Sequence, residues 1–189
     1  IFSVLHSTTS LSPAAVLAYI EVPSNKLPLI LIHGITSRWQ PFQPLLPGLA
    51  EKYHVFALDL RGHGRSSHTP GKYRLEDYTR DVHQFITEQI QAPVVIYGHS
   101  LGALVAINLA AQHPRRVRAL ILGDPPFFHH DTPIQNTPWH AAFIELLEFM
   151  NAHPDPAEMD AWLAQNMPGM SPDRRAERVH SLETLDPDV

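Results

Sequence analysis

Gly98-His99-Ser100-Leu101-Gly102 is the stretch of this 189-residue chain whose residue types and spacing spell out a reaction. It has the G-x-S-x-G spacing of a nucleophile elbow. The apolar run Val94-Val95-Ile96-Tyr97 precedes it and Ala103-Leu104-Val105-Ala106-Ile107 follows. That order reads as a strand, a sharp turn and a buried helix, with the serine at the turn. A hydroxyl thrust out there is a candidate nucleophile toward a carbonyl carbon. Side chains two residues before and after it would collide as strand and helix fold back on each other, which accounts for Gly98 and Gly102. A helix that begins at the turn leaves its first backbone N–H groups unbonded, and Leu101 would offer one of them to a developing oxyanion.

Several elements must hold this turn in place. Residues 1–5 and 15–22 read as two β runs around the Ser/Thr/Pro-rich 7–13, an antiparallel entry hairpin. Residues 27–32 form a nearly continuous apolar run, the pattern of a strand covered on both faces, ending at His33-Gly34. Residues 41–52 have helical spacing, shortened by Pro44 and Pro47. A second buried strand, 54–58, ends at Asp59. The polar, glycine-rich loop Arg61-Gly62-His63-Gly64-Arg65-Ser66-Ser67-His68 follows, and 75–90 reads as an amphipathic helix. The helix after the turn stops at His113-Pro114, and a further strand, 117–122, closes at Gly123-Asp124-Pro125-Pro126.

Strands alternating with helices in this rhythm predict an α/β fold, a mainly parallel sheet with helices on both faces. Ligands of such sheets sit at the carboxyl ends of the strands, where Gly34, Asp59, Ser100 and Asp124 fall. After Phe128 the texture changes to three helices, 139–151, 157–167 and 172–185. This divides the chain into a core, 1–126, and a helical cap, 127–189. Trp139, Phe143, Leu146, Leu147, Phe149 and Met150 give the cap an apolar stripe. With Trp162, Met167 and Met170 it could line a substrate pocket or simply pack helices together.

The composition, 44% hydrophobic and 17% charged, suits one globular domain with a substantial core. A net charge of −5 without long runs of either sign argues against nucleic-acid and anionic-membrane partners and for small uncharged ones. The chain contains no cysteine, which excludes disulfides, thiolate metal sites and a cysteine nucleophile, and is compatible with a reducing, cytoplasmic setting. No apolar run approaches the ~20 residues that span a bilayer. His129-His130-Asp131 is weak as a metal site, Gly62-His63-Gly64 lacks the rest of a dinucleotide fingerprint, and no cofactor or metal is expected.

With His33-Gly34-Ile35, Asp59-Leu60-Arg61-Gly62-His63-Gly64-Arg65-Ser66 and the elbow in that order, the chain resembles the α/β-hydrolase superfamily. The similarity is to its cap-bearing branch of carboxylesterases, carbon–carbon bond hydrolases, perhydrolases, haloalkane dehalogenases and epoxide hydrolases. The resemblance implies Ser100 as nucleophile and the backbone N–H groups of Leu101 and Ile35 as the oxyanion hole. His33 would brace that hole, and His33, Gly34, His99, Trp139 and Phe143 would lie near the substrate. Dehalogenases and epoxide hydrolases of this branch use an aspartate nucleophile, so a serine implies acyl transfer to water.

The resemblance also implies an acid and then a histidine, each after a strand beyond the cap, and residues up to Val189 still read as cap. The expectation is therefore of the front two-thirds of a hydrolase, its last two strands, acid and histidine lying past residue 189. Asp124 is an alternative acid. His113, His129, His130, His140, His153 and His180 all fall on loops or helices rather than after a strand. The expected activity is cleavage of a carboxylic ester or related acyl bond. A carbon–carbon bond hydrolase and a non-catalytic ligand-binding protein of the same fold stand as alternatives, and the sequence leaves the oligomeric state open.

Overall fold

The apolar runs become strands because each can be covered on both faces. β3 (Leu27–Ile32) and β4 (Tyr53–Leu58) bury successive residues completely at their carboxyl ends. The computed structural model describes residues 3–7, 15–126 and 134–189, the first of these segments by its backbone alone. A six-stranded sheet runs in the order β1-β2-β4-β3-β5-β6, with β1 (Ser3–Ser7), β2 (Ala18–Val22), β5 (Val94–His99) and β6 (Val117–Gly123) completing it. β1 pairs antiparallel with β2, as the entry hairpin predicts, although it runs over Ser3–Ser7 and not 1–5; β2 is also antiparallel to β4. The remaining pairs, β4·β3, β3·β5 and β5·β6, are parallel.

Alternation along β3 divides the core. Ile30 and Ile32 pack with Phe56, Leu58 and Ile96 under α2 (Leu75–Phe85) and α3 (Leu101–Gln112), against Val82, Phe85, Val105 and Leu109. Leu29 and Leu31 face the opposite side with Val55, Val95, Phe42 and Leu46. Those last two belong to a 3₁₀ segment, Gln40–Leu45, and the one-turn α1 (Leu46–Ala50), the short irregular helix that the prolines impose. α2 ends five residues before the helical spacing of 75–90 predicts, passing into a π turn over Ile86–Ile90 that closes on left-handed Gln91. On its far side β6 has no neighbouring strand among the described residues, and Ile121 is half-exposed there.

The chain divides into two compact units, Ile1–Pro125 with Thr184–Val189, and Pro126–Glu183. The sequence reading left 184–189 with the helices. It joins the first unit because the Asp186 N–H donates to the Gly62 carbonyl at 2.8 Å and its buried carboxylate accepts the Tyr73 hydroxyl. The second unit holds α4 (Pro138–Asn151), α5 (Pro156–Asn166) and α6 (Pro172–Glu183), each begun by a proline whose missing N–H nothing there requires. Thr137 caps α4, and a capping box of Asp155 and Glu158 starts α5. Phe149 and Trp162 stack at 5.2 Å, and Met159, Leu163, Val179 and Leu182 are buried.

Candidate active site

Sheet order reverses between β3 and β5: the chain leaves β3 for β4 on one side and returns to β5 on the other. The crevice beyond such a reversal is where open α/β sheets bind ligands. β5 ends there at Ser100, held at φ 50 and ψ −113 between strand and helix. A Cβ on Gly98 would stand 2.2 Å from the Gly102 carbonyl oxygen, and one on Gly102 would stand 2.4 Å from that of Ile32. No side chain fits at either position. The Ser100 N–H donates to the Gly123 carbonyl at 2.9 Å, tying the turn to the end of β6. Among the described residues the Ser100 hydroxyl has no hydrogen-bond partner, and the N–H groups of Ile35 and Leu101 are not donated to any acceptor.

The loop after β3 runs directly against this turn. A Cβ on Gly34 would lie 3.1 Å from Ser100 Cβ and 2.9 Å from Nδ1 of the exposed His99, so a side chain there would crowd the serine and displace the His99 ring. Ser37 N–H to Gly34 C=O, 3.2 Å, closes a tight turn in which Thr36 takes φ 61. Left-handed backbone at a β-branched residue costs on the order of 1–3 kcal/mol, so surrounding contacts must hold it.

Two loops supply them. His33 is 2% exposed; its Nδ1–H donates to the Gly34 carbonyl at 2.8 Å, and its Nε2 accepts the Leu60 N–H at 2.9 Å. With both ring nitrogens spent on backbone and no surface to offer, His33 braces the loop and is not a substrate contact. His63, 1% exposed, mirrors it: Nδ1–H donates to the Arg61 carbonyl at 2.8 Å and Nε2 accepts the Thr36 N–H at 3.2 Å. The two rings lie 4.9 Å apart. Burial above all, and then the neighbouring His63, hold the His33 imidazole well below its ordinary pKa, which favours the neutral form these bonds require.

Asp59 joins the same loops, accepting the Trp39 N–H at 2.9 Å on Oδ1 and the Arg65 N–H at 3.1 Å on Oδ2. Burial raises its carboxyl above the usual range, while those two amides and the Arg38 and Arg65 charges oppose the rise. Gly64 makes room for it, since a Cβ there would stand 2.2 Å from Oδ2. Arg61 anchors the second loop to α2 through a two-pronged bond with Asp81, Nε to Oδ2 and Nη2 to Oδ1, both 2.6 Å and both side chains 1% exposed.

Asp124 follows β6 at φ 47, exposed, with no hydrogen-bond partner among the described residues. Thr36, Ser100 and Asp124 thus place non-glycine left-handed backbone at the ends of three neighbouring strands. Phe143 is exposed on α4, in the helical unit; the Trp139 side chain and His129, His130 and Asp131 lie outside the described residues. No group of three metal-ligating side chains occurs among the described residues, and none of their helices is long and apolar enough to cross a membrane. Sequence reasoning placed Asp59 at the ligand end of β4 and quoted Arg61 and His63 in a motif, but gave none of them a bracing role, and it missed Asp81. The available signal was Asp81 itself, a charge on the apolar stripe Tyr78, Val82 and Phe85 of α2.

This chain belongs to the α/β-hydrolase fold family, whose model matches residues 28–164. Within it, a 2-(acetamidomethylene)succinate hydrolase of Mesorhizobium japonicum is 37% identical over 96 residues, 51% of this chain and 34% of that protein. A putative non-heme haloperoxidase of Mycobacterium phage D29 is 36% identical over 107 residues, 55% of this chain and 38% of the relative. The crystal structure of a hydrolase from Pseudomonas aeruginosa superposes with a TM-score of 0.73 at 26% identity, covering 98% of this chain and 72% of the other. The chain thus spans little more than a third of the length of the curated relatives it matches.

Proposed function

We propose that this chain carries the nucleophile and oxyanion hole of a serine hydrolase that cleaves a carboxylic ester or a related acyl bond. The observation that carries this reading is the juxtaposition at the β3–β5 reversal: a strained serine with a free hydroxyl packed against a turn whose amide is likewise unspent. The Ser100 Oγ would add to the substrate carbonyl, and the N–H groups of Ile35 and Leu101 would stabilise the oxygen as it becomes negative. Collapse of the tetrahedral species expels the alcohol or amine, and water then releases the acyl group. No cofactor enters this sequence.

The proton of Ser100 needs a base, and no described histidine is hydrogen-bonded to its hydroxyl. We assign base and principal acid to the full-length protein beyond the described residues. Asp124 is a second candidate for the acid, favoured by its strained, unpaired position at the end of β6. The chain by itself is expected to turn over esters negligibly. The relative whose name gives an acetamido-bearing succinate as substrate favours small acylated molecules as the substrate class, and a cytoplasmic setting belongs to the same proposal.

Labelling of the full-length protein by a fluorophosphonate tests this. Modification at Ser100, abolished in Ser100→Ala together with a fall in ester turnover of about 10⁴-fold or more, is the expected result. A folded protein that stays unlabelled, or labels equally in Ser100→Ala, overturns the reading in favour of a ligand-binding protein.

A further inference from the structure

The two buried imidazoles exchange backbone partners. His33, at the end of β3, accepts an amide from the loop after β4, and His63, in the loop after β4, accepts one from the loop after β3. Each spends its Nδ1–H on a carbonyl of its own loop, so in each ring the Nε2 lone pair faces the other loop. Asp59 adds a second acceptor on the same side, taking the Trp39 N–H. The turn carrying Ile35 is therefore held at Thr36 and at Trp39 by acceptors from one other loop. Ile35 itself donates its N–H to nothing among the described residues.

We propose that His63, assisted by Asp59, is a positioning residue for catalysis: by holding the left-handed Thr36 it aims the Ile35 N–H at the oxyanion. This rests on the hydrolase reading, because only then does the Ile35 amide have an oxyanion to meet. The physical reason is the strain at Thr36. A β-branched residue at φ 61 relaxes toward negative φ when released; that rotation turns the Ile35–Thr36 peptide and opens the turn that Ser37 N–H closes on the Gly34 carbonyl, and the Gly34–Ile35 peptide that carries the Ile35 N–H shifts with it. A donor displaced in this way is lost to the transition state and not to the bound substrate, so kcat should fall while KM stays. His63 touches no reacting atom, being 1% exposed with both nitrogens engaged by backbone.

The test uses His63→Leu in the full-length protein, with His63→Gln as the variant that keeps an acceptor. His63→Leu should lower kcat for a short p-nitrophenyl ester about 10²-fold, the usual effect of one oxyanion donor, with KM within about twofold. His63→Gln should recover most of the loss. A rise in KM at constant kcat, or a kcat within about threefold of the parent, overturns the proposal. So does His63→Gln being as slow as His63→Leu.

Amide exchange read by NMR needs no turnover, and so separates failure of this inference from failure of the hydrolase reading. In the parent, Thr36 should exchange slowly and Ile35 freely; in His63→Leu, Thr36 should exchange about 10²-fold faster. Free exchange of Thr36 in the parent sinks the brace, whatever the activity and even if His63→Leu does not fold. A slow Thr36 beside a Ser100 that no probe labels ends the catalytic part alone.

Discussion

The two amides of the candidate oxyanion hole are held by different means. Leu101 opens a twelve-residue helix, so its N–H is set by backbone: the start of α3, the turn at Ser100, and two glycines without which strand and helix cannot meet. Ile35 sits in a short loop with no helix behind it, and its direction depends on side chains, His33, His63 and Asp59, reaching from or across to another loop. Backbone control fails through steric collision at the turn itself. Side-chain control can fail from a distance, wherever the chain of bonds leads.

That chain leads first to α2, and the largest effect is expected there. Arg61 holds the Gly62–His63–Gly64 loop by its paired bonds to Asp81, both side chains 1% exposed, and Asp81 also accepts the Ala15 N–H at 3.1 Å. Asp81→Ala takes both paired bonds from a buried guanidinium and leaves it Asp77 as its nearest carboxylate, at 4.0 Å; losing the partner of a buried ion pair typically destabilises by about 3–5 kcal/mol. Urea unfolding should register that loss, while the apolar pair Arg61→Met with Asp81→Leu should lose distinctly less, since it strands no charge. Equal midpoints for Asp81→Ala and the parent would break the claim that the Ile35 side hangs on distant contacts.

Breaking the other side needs one methyl group. Gly102→Ala places a carbon 2.4 Å from the Ile32 carbonyl oxygen, a backbone atom that cannot move without β3. A destabilisation of about 1–3 kcal/mol is expected from such overpacking, together with loss of Ser100 labelling. Gly48→Ala in α1 is the control, because nothing lies within 4 Å of its added carbon and helix propensity favours alanine. Gly102→Ala as stable as Gly48→Ala would refute steric control of the elbow.

This difference also explains what could be read from the sequence. Ser100, its flanking glycines and the helix after them are legible because backbone control acts within a few consecutive residues, where spacing is visible. The strands from β2 to β6 and their carboxyl ends were legible for the same reason, as apolar runs bounded by polar or glycine residues, whereas β1, read as 1–5, runs over Ser3–Ser7. The bracing roles of His63 and Asp59 were not legible, because their partners Thr36 and Trp39 lie 27 and 20 residues away on the far side of β4 in the sequence. A histidine between two glycines looks like a solvated loop until the bonds to another loop are seen. The π turn at Ile86–Ile90 was hidden by an apolar spacing that continues the helix, and the return of Thr184–Val189 to the first unit by a carboxylate, Asp186, that reads as surface.

The smallest effect sharpens the comparison through pH, since the side-chain-held half rests on a buried imidazole whose pKa is displaced from its ordinary value. His33 is enclosed; burial first, then the His63 ring 4.9 Å away and His99, depress its pKa, against the Gly34 carbonyl that accepts its Nδ1–H. In the unfolded chain the same imidazole titrates near its ordinary value of about 6.5. Between that value and the depressed one in the folded state, the unfolded chain binds more protons. The His33 contribution is therefore complete above about pH 6.5 and is lost progressively as the pH falls below it. Burial raises Asp59 and Asp81 instead, which on their own would favour the folded state in acid. Urea midpoints at pH 7.5 and 5.5 should show a loss in the parent that shrinks in His33→Gln, which has no titrating ring at that position. Parallel losses in the two proteins would mean that the neutral imidazole at residue 33 is not what the oxyanion turn depends on.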